Sequence, residues 1–139
     1  QNNEYTGSTF WNLLPELSYN SKSSPKIAVT FYYCKANVFQ SMLGIMGKLK
    51  QANEQAEIDV SYNVYQKEAG GPNDVIAVVI QMGGYADMAP VSPSIKDRYI
   101  AAFGEEGWLG DYTTWTNGLK WSETEIMTLI PEMSTPSPE

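Results

Sequence analysis

A chain of 139 residues with 16 acidic and nine basic side chains carries a net charge of -7, and its length suits one domain that buries roughly two-thirds of its extended-chain surface. No Lys/Arg cluster offsets that acidity, which argues against a nucleic-acid partner, and no apolar run approaches the roughly 18 residues of a membrane-spanning helix, so a soluble chain is expected. Histidine is absent and Cys34 is the single cysteine, which removes imidazole bases, imidazole ligands to metal or haem, intrachain disulfides and multi-cysteine metal sites; no cofactor and no metal is expected.

Residues 1–25 read as a leader ahead of the domain. Gln1 to Gly7 is polar, and the Asn/Ser/Thr-rich start without methionine fits a removed secretory signal and export to a bacterial periplasm or beyond. It fits a trimmed cytoplasmic chain equally. Ser8 is placed to cap a short helical turn that carries Phe10, Trp11, Leu13 and Leu14 onto the domain, since four large apolar groups are costly to leave in water. Asn20 to Pro25 is a Ser/Lys-rich linker, and Pro25 points the chain into an extended run.

From Lys26, Ile27, Val29, Phe31 and Tyr33 alternate with Ala28, Thr30, Tyr32 and Cys34, the period of a strand. Cys34 sits on that strand as a small core hydrophobe. Asn37 caps a helix to about Ala56 in which Val38, Met42, Ile45, Met46, Leu49 and Ala52 recur at three- and four-residue spacings. Gly44 and Gly47 each cost roughly 1 kcal/mol there against alanine, which a close approach to the sheet would explain. The stretch from Asp59 to Met82 is a hairpin. Its first arm sets Val60, Tyr62 and Val64 against Ser61, Asn63 and Tyr65, a Gly70-Gly71-Pro72-Asn73-Asp74 turn stops pairing, and the arm Val75 to Ile80 is apolar on both faces, as in a covered central strand.

Breakers from Gly83 to Pro93 mark a crossing loop. A second helix starts at Ser94 with Ile95, Tyr99, Ile100 and Phe103 as its stripe and stops at Gly104. Glu105-Glu106 opens another helix that carries Trp108, Leu109, Tyr112 and Trp115 to about Gly118, and Glu123 to Ile130 alternates as the last strand. Pro131 closes it, and residues 134–139 form a Ser/Thr/Pro/Glu tail expected to be disordered.

The predicted fold is α+β, with the order β-α-β-β-α-β, a four-stranded antiparallel sheet and helices on one face. With its apolar hairpin and the Gly104-Glu105-Glu106-Gly107 helical region, the chain from Lys26 to about Met133 resembles the dimeric α/β-barrel superfamily of ferredoxin-like protomers. That resemblance implies a homodimer pairing two sheet faces around a shared barrel. The superfamily includes cofactor-free monooxygenases, haem-handling enzymes and isomerases, so fold does not choose function; the missing histidine sets this chain apart from the haem binders.

The acidic pairs Glu105-Glu106 and Glu123/Glu125 read as solvated side chains, Lys96-Asp97-Arg98 as a wet helix face, and Trp108, Trp115 and Trp121 as helix packing. If the aliphatic face of the hairpin receives the helices, Ser61, Asn63 and Tyr65 point to the barrel side, where a few polar groups among apolar walls orient a ligand. The leading expectation is a dimer that binds a small, largely apolar molecule there. The alternatives are a cofactor-free monooxygenase or isomerase, and a structural dimer whose barrel is filled by side chains.

Overall fold

The computed structural model describes residues 10–20, 26–69, 74–82 and 91–128. The polar start Gln1 to Gly7, the cap Ser8, the linker from Ser21 to Pro25, the Gly70 to Asn73 turn, most of the crossing loop and the chain beyond Thr128 lie outside the described residues.

Within them the chain is α+β, an antiparallel sheet of five strands with two helices. The strands are β1 (Phe10–Leu13), β2 (Lys26–Cys34), β3 (Tyr62–Ala69), β4 (Val75–Met82) and β5 (Leu119–Thr128), and the helices are α1 (Phe39–Ala56) and α2 (Ile95–Gly118). The order across the sheet is β1-β3-β4-β2-β5, with every neighbouring pair antiparallel. None of the described helices is long and apolar enough to cross a membrane.

Alternation sends one set of strand side chains to the helices. Tyr62, Val64, Ile76, Val78 and Cys34 pack with Phe39, Met42 and Met46 of α1 in one buried cluster, and Leu14 and Leu17 join it from the turn after β1. Each large aliphatic group so buried contributes about 1.5–3 kcal/mol of transfer free energy. From α2, Trp115 sets its edge on the Tyr32 ring at 5.2 Å. Ser94 caps α2 by accepting the Asp97 N–H at 3.1 Å, and Gly104, at φ 84° and ψ 165°, breaks the helix where a side chain would be strained.

Several expectations change. The apolar run near the N-terminus is a strand, not a helical turn: Phe10 to Leu13 pair with β3 and cover its outer edge, and the turn follows, closed by the Ser18 N–H and hydroxyl donating to the Leu14 carbonyl. Four apolar residues cannot separate the two conformations by periodicity, whereas an open β3 edge offers unpaired backbone groups that a strand satisfies. The sheet therefore has five strands, and its last one begins at Leu119 instead of Glu123. Gly44 and Gly47 do not mark a close approach to the sheet, because a Cβ on Gly44 meets nothing within 4 Å and one on Gly47 makes an ordinary 3.4 Å contact with Leu17. The tight position is Gly118, where a Cβ would lie 2.5 Å from Val38 Cγ2 and 2.8 Å from Met42 Sδ.

Candidate functional site

The strand residues that alternate away from the helix-side cluster form a second surface. Across its middle, Leu13, Tyr65, Ala77, Phe31 and Glu123 stand in one register row, and Asn63, Val79, Val29 and Glu125 in the next. No helix residue belongs to these rows, yet Val29 and Ala77 are only 6% and 4% exposed. The rings of Trp11 and Phe31 meet at 5.9 Å although β3 and β4 run between their strands. Three strand spacings of about 4.8 Å would hold them roughly 14 Å apart at the backbone, so the sheet curls and both side chains lean toward one another across β3 and β4. The face is concave and mainly apolar, with Trp11, Leu13, Trp121 and Met127 remaining exposed.

At one end this face opens into a recess of about 180 Å³ lined by Tyr33, Cys34, Lys67, Asp74, Val75, Lys120 and Trp121. Its aromatic wall is the Trp121 indole stacked on Tyr33, with centroids 4.4 Å apart; the indole N–H donates to Glu123 Oε2 at 3.3 Å. Two backbone hydrogen bonds frame it, Cys34 N–H to the Asp74 carbonyl and Lys35 N–H to the Gly118 carbonyl, both 2.8 Å. Burial pushes the Cys34 thiol up to about 11, with Asp74 adding and Lys120 opposing, so at neutral pH it is a protonated thiol, donating weakly to the Tyr32 carbonyl at 3.4 Å. It is no nucleophile in that state.

Of the three residues expected to orient a ligand, Asn63 and Tyr65 lie half-buried on the concave face. Ser61 precedes β3 and is buried, its carbonyl accepting the Gln81 N–H at 2.9 Å. None of them lines the recess, which takes Lys67 from the same face of β3. Trp121, expected on a helix, is on β5.

Two polar clusters lie on the helix side. Arg98 is not on a wet face: it is 6% exposed, and its Nε donates to Asn53 Oδ1 at 2.8 Å while Nη1 donates to the Pro93 carbonyl at 2.5 Å. Asn53 Nδ2 in turn donates to the Tyr62 hydroxyl at 2.8 Å, and the Tyr19 hydroxyl donates to the Ile58 carbonyl at 2.8 Å. Burial raises the Tyr62 hydroxyl to about 12 against the Asn53 hydrogen bond and the Arg98 charge, so it neither gives nor takes a proton near neutrality. These contacts brace the end of α1, the start of β3 and the start of α2. Sequence reasoning missed Arg98 because neighbouring Lys96 and Asp97 are exposed, as a helical turn on the surface would be. No local signal marked it, since Ile95, three residues before it on the same helix face, is itself exposed.

In the second cluster, Tyr99 donates to Asp111 Oδ2 at 2.6 Å and Lys48 pairs with the same oxygen at 3.0 Å. This joins α1 to the second half of α2. Glu105-Glu106 is exposed on α2, and Glu123 and Glu125 lie exposed on edge strand β5. Among the described residues no group of three or more His, Cys, Asp or Glu side chains is placed to hold a metal ion.

No protein-family model matches this chain, and no curated protein does either.

Proposed function

We propose that the protein is a binding module in which two copies pair their concave sheet faces and enclose a small, largely apolar molecule. The observation that carries this reading is the face itself, an apolar surface that none of the described helices covers. Trp11 and Leu13 on β1 and Trp121 and Met127 on β5 are each more than a third exposed there; large apolar groups exposed together on one face favour an interaction site. Charge is kept to the margins, with Glu123 and Glu125 on β5 at one sheet edge and Lys67 at one end, the arrangement of an apolar interface core with a polar rim. Asn63 and Tyr65 supply the few polar groups that would orient the guest.

With β1 set aside, the order β3-β4-β2-β5 supports a ferredoxin-like arrangement, with β1 an added edge strand, and hence the dimeric α/β-barrel reading. The Trp11–Phe31 contact favours a second reading, in which side chains fill the barrel and the dimer is structural.

Sedimentation at micromolar concentration and native mass spectrometry after exposure to fatty acids, quinones and aromatic ketones test both. The expected result is a dimer that retains one of these compounds. Leu13→Asp should give a monomer with little change in melting temperature, because Leu13 is 44% exposed in the single chain and a stable interface needs about 800 Å² from each partner. A dimer with no adduct supports the filled barrel. A concentration-independent wild-type monomer that takes up nothing refutes the proposal.

A further inference from the structure

We infer that the outer edge of β5 is a docking site for an extended basic segment of another protein, which adds to the sheet as a sixth strand with two lysine or arginine side chains opposite Glu123 and Glu125. This goes beyond the reading of the concave face and does not depend on it.

The edge itself comes first. Among the described residues β5 is the last strand of the sheet and pairs with β2 alone. It is ten residues long, against four for β1 at the opposite edge. Residues 121–127 are exposed on both faces of the strand, and from Trp121 onward the ladder with β2 is regular. A long edge strand of this kind carries a row of outward N–H and C=O groups, a template on which an extended segment pairs. Main-chain hydrogen bonds supply affinity in that mode, and alternate side chains supply selectivity.

Charge selects the occupant. Trp121, Glu123, Glu125 and Met127 share one face of β5, so two carboxylates stand two residues apart between apolar ends, on a chain of net charge -7. Opposite charges across a strand pair stabilise it and like charges destabilise it, so the added strand should alternate apolar, basic, basic, apolar. A second copy fails that requirement: in the antiparallel registers centred on Glu123, Thr124 or Glu125, two β5 strands set glutamate opposite glutamate. The chain's own segments outside the described residues fail it too, because 1–9, 70–73, 83–90 and 129–139 contain no lysine or arginine and 21–25 contains only Lys22.

The probe is the capped peptide Thr-Val-Thr-Lys-Thr-Lys-Thr-Val-Thr, which reads the same in both directions and so sets its lysines opposite the glutamates in either orientation. Its controls are the peptide with glutamate in place of lysine and the lysine peptide N-methylated along its central Thr-Lys-Thr-Lys-Thr. Binding to the full chain is read by fluorescence anisotropy, and strand addition by amide hydrogen exchange. The lysine peptide should bind at least about tenfold more tightly than either control and protect the alternate β5 amides that face away from β2. Glu123→Gln with Glu125→Gln, both at exposed positions, should reduce the preference for lysine over glutamate below about threefold while leaving the melting temperature unchanged. Failure of the lysine peptide to bind, equal binding of the lysine and glutamate peptides, or a preference that survives the double variant overturns the inference. Equal binding of the N-methylated peptide also overturns it, as charge attraction without strand pairing. So does protection of the outward β5 amides in the peptide-free chain: protection that rises with protein concentration assigns the edge to a second copy, and protection independent of concentration assigns it to the chain itself.

Discussion

Gly118 joins α2 to β5, and its surroundings set the size of the effect expected for Gly118→Ala. The added methyl would lie 2.5 Å from Val38 Cγ2 and 2.8 Å from Met42 Sδ, well inside ordinary contact. Met42 is fully buried in the core, and the Gly118 carbonyl is fixed by the Lys35 N–H, so neither side is free to withdraw. Overpacking of this kind costs about 1–3 kcal/mol. Alanine recovers at most about 1 kcal/mol of helix propensity, and less at the final helical residue. A net loss of about 1–2 kcal/mol is expected, read by thermal denaturation as a fall of roughly 3–8 °C for a chain of this size. Val38→Ala removes the nearer obstacle, so the double variant should be more stable than the sum of the two single changes by at least about 0.5 kcal/mol. A Gly118→Ala protein as stable as wild type, or strict additivity with Val38→Ala, would refute the steric account.

Asn53→Ala is expected to cost about 2–4 kcal/mol in chemical denaturation, since it strips the Arg98 Nε and the Tyr62 hydroxyl of their partners in a buried setting; a loss under about 0.5 kcal/mol would show that the brace is dispensable. At Asp111 burial alone would raise the carboxyl, but hydrogen bonds from Tyr99 and Lys48 and the Lys48 charge outweigh it and hold the group below its ordinary value of 3.8. Its contribution is therefore present above about pH 4 and lost as the pH falls through the depressed folded value. Asp111→Asn should flatten the acid limb of the stability curve measured between pH 2 and 5, and an unchanged limb would count against the assignment.

The sheet was legible where alternation ran long enough. Residues 26–34, 62–65 and 75–80 carry a period of two or an unbroken β-branched run, and they form β2, part of β3 and most of β4. The helix-side face was legible for the same reason, because Tyr62 and Val64 alternate with Asn63 and Tyr65. The β1 strand was not, since four apolar residues fit a helical turn as well as a strand, and the choice is made by the distant edge of β3. Trp121 misled because the successive spacings of seven and six in Trp108, Trp115 and Trp121 imitate a helix, while the helix ends at Gly118. Arg98 misled through its charged neighbours. The recess was illegible because it draws Lys67, Asp74 and Lys120 from three separate stretches of chain, and no local pattern links them.

The irregular pairing at the end of β2 explains how Lys120 reaches that recess. Tyr33 pairs with Trp121, but Cys34 pairs with Leu119, so one residue of β5 is left over at this step, and it is Lys120. In an unbroken ladder the partner of Cys34 would be Lys120 itself, on the helix side with Cys34 and Ile76. An ammonium directed there would be costly to desolvate. The bulge gives that position to Leu119, which packs against the core, and turns Lys120 to the recess; bulges re-aim side chains in this way. Deleting Lys120 should then restore a regular ladder with Trp121 still opposite Tyr33 and Leu119 still opposite Cys34. The deletion protein is expected to fold with a melting temperature within a few degrees of wild type. A deletion that unfolds the chain would show that the bulge serves β5 pairing and not the placement of the lysine.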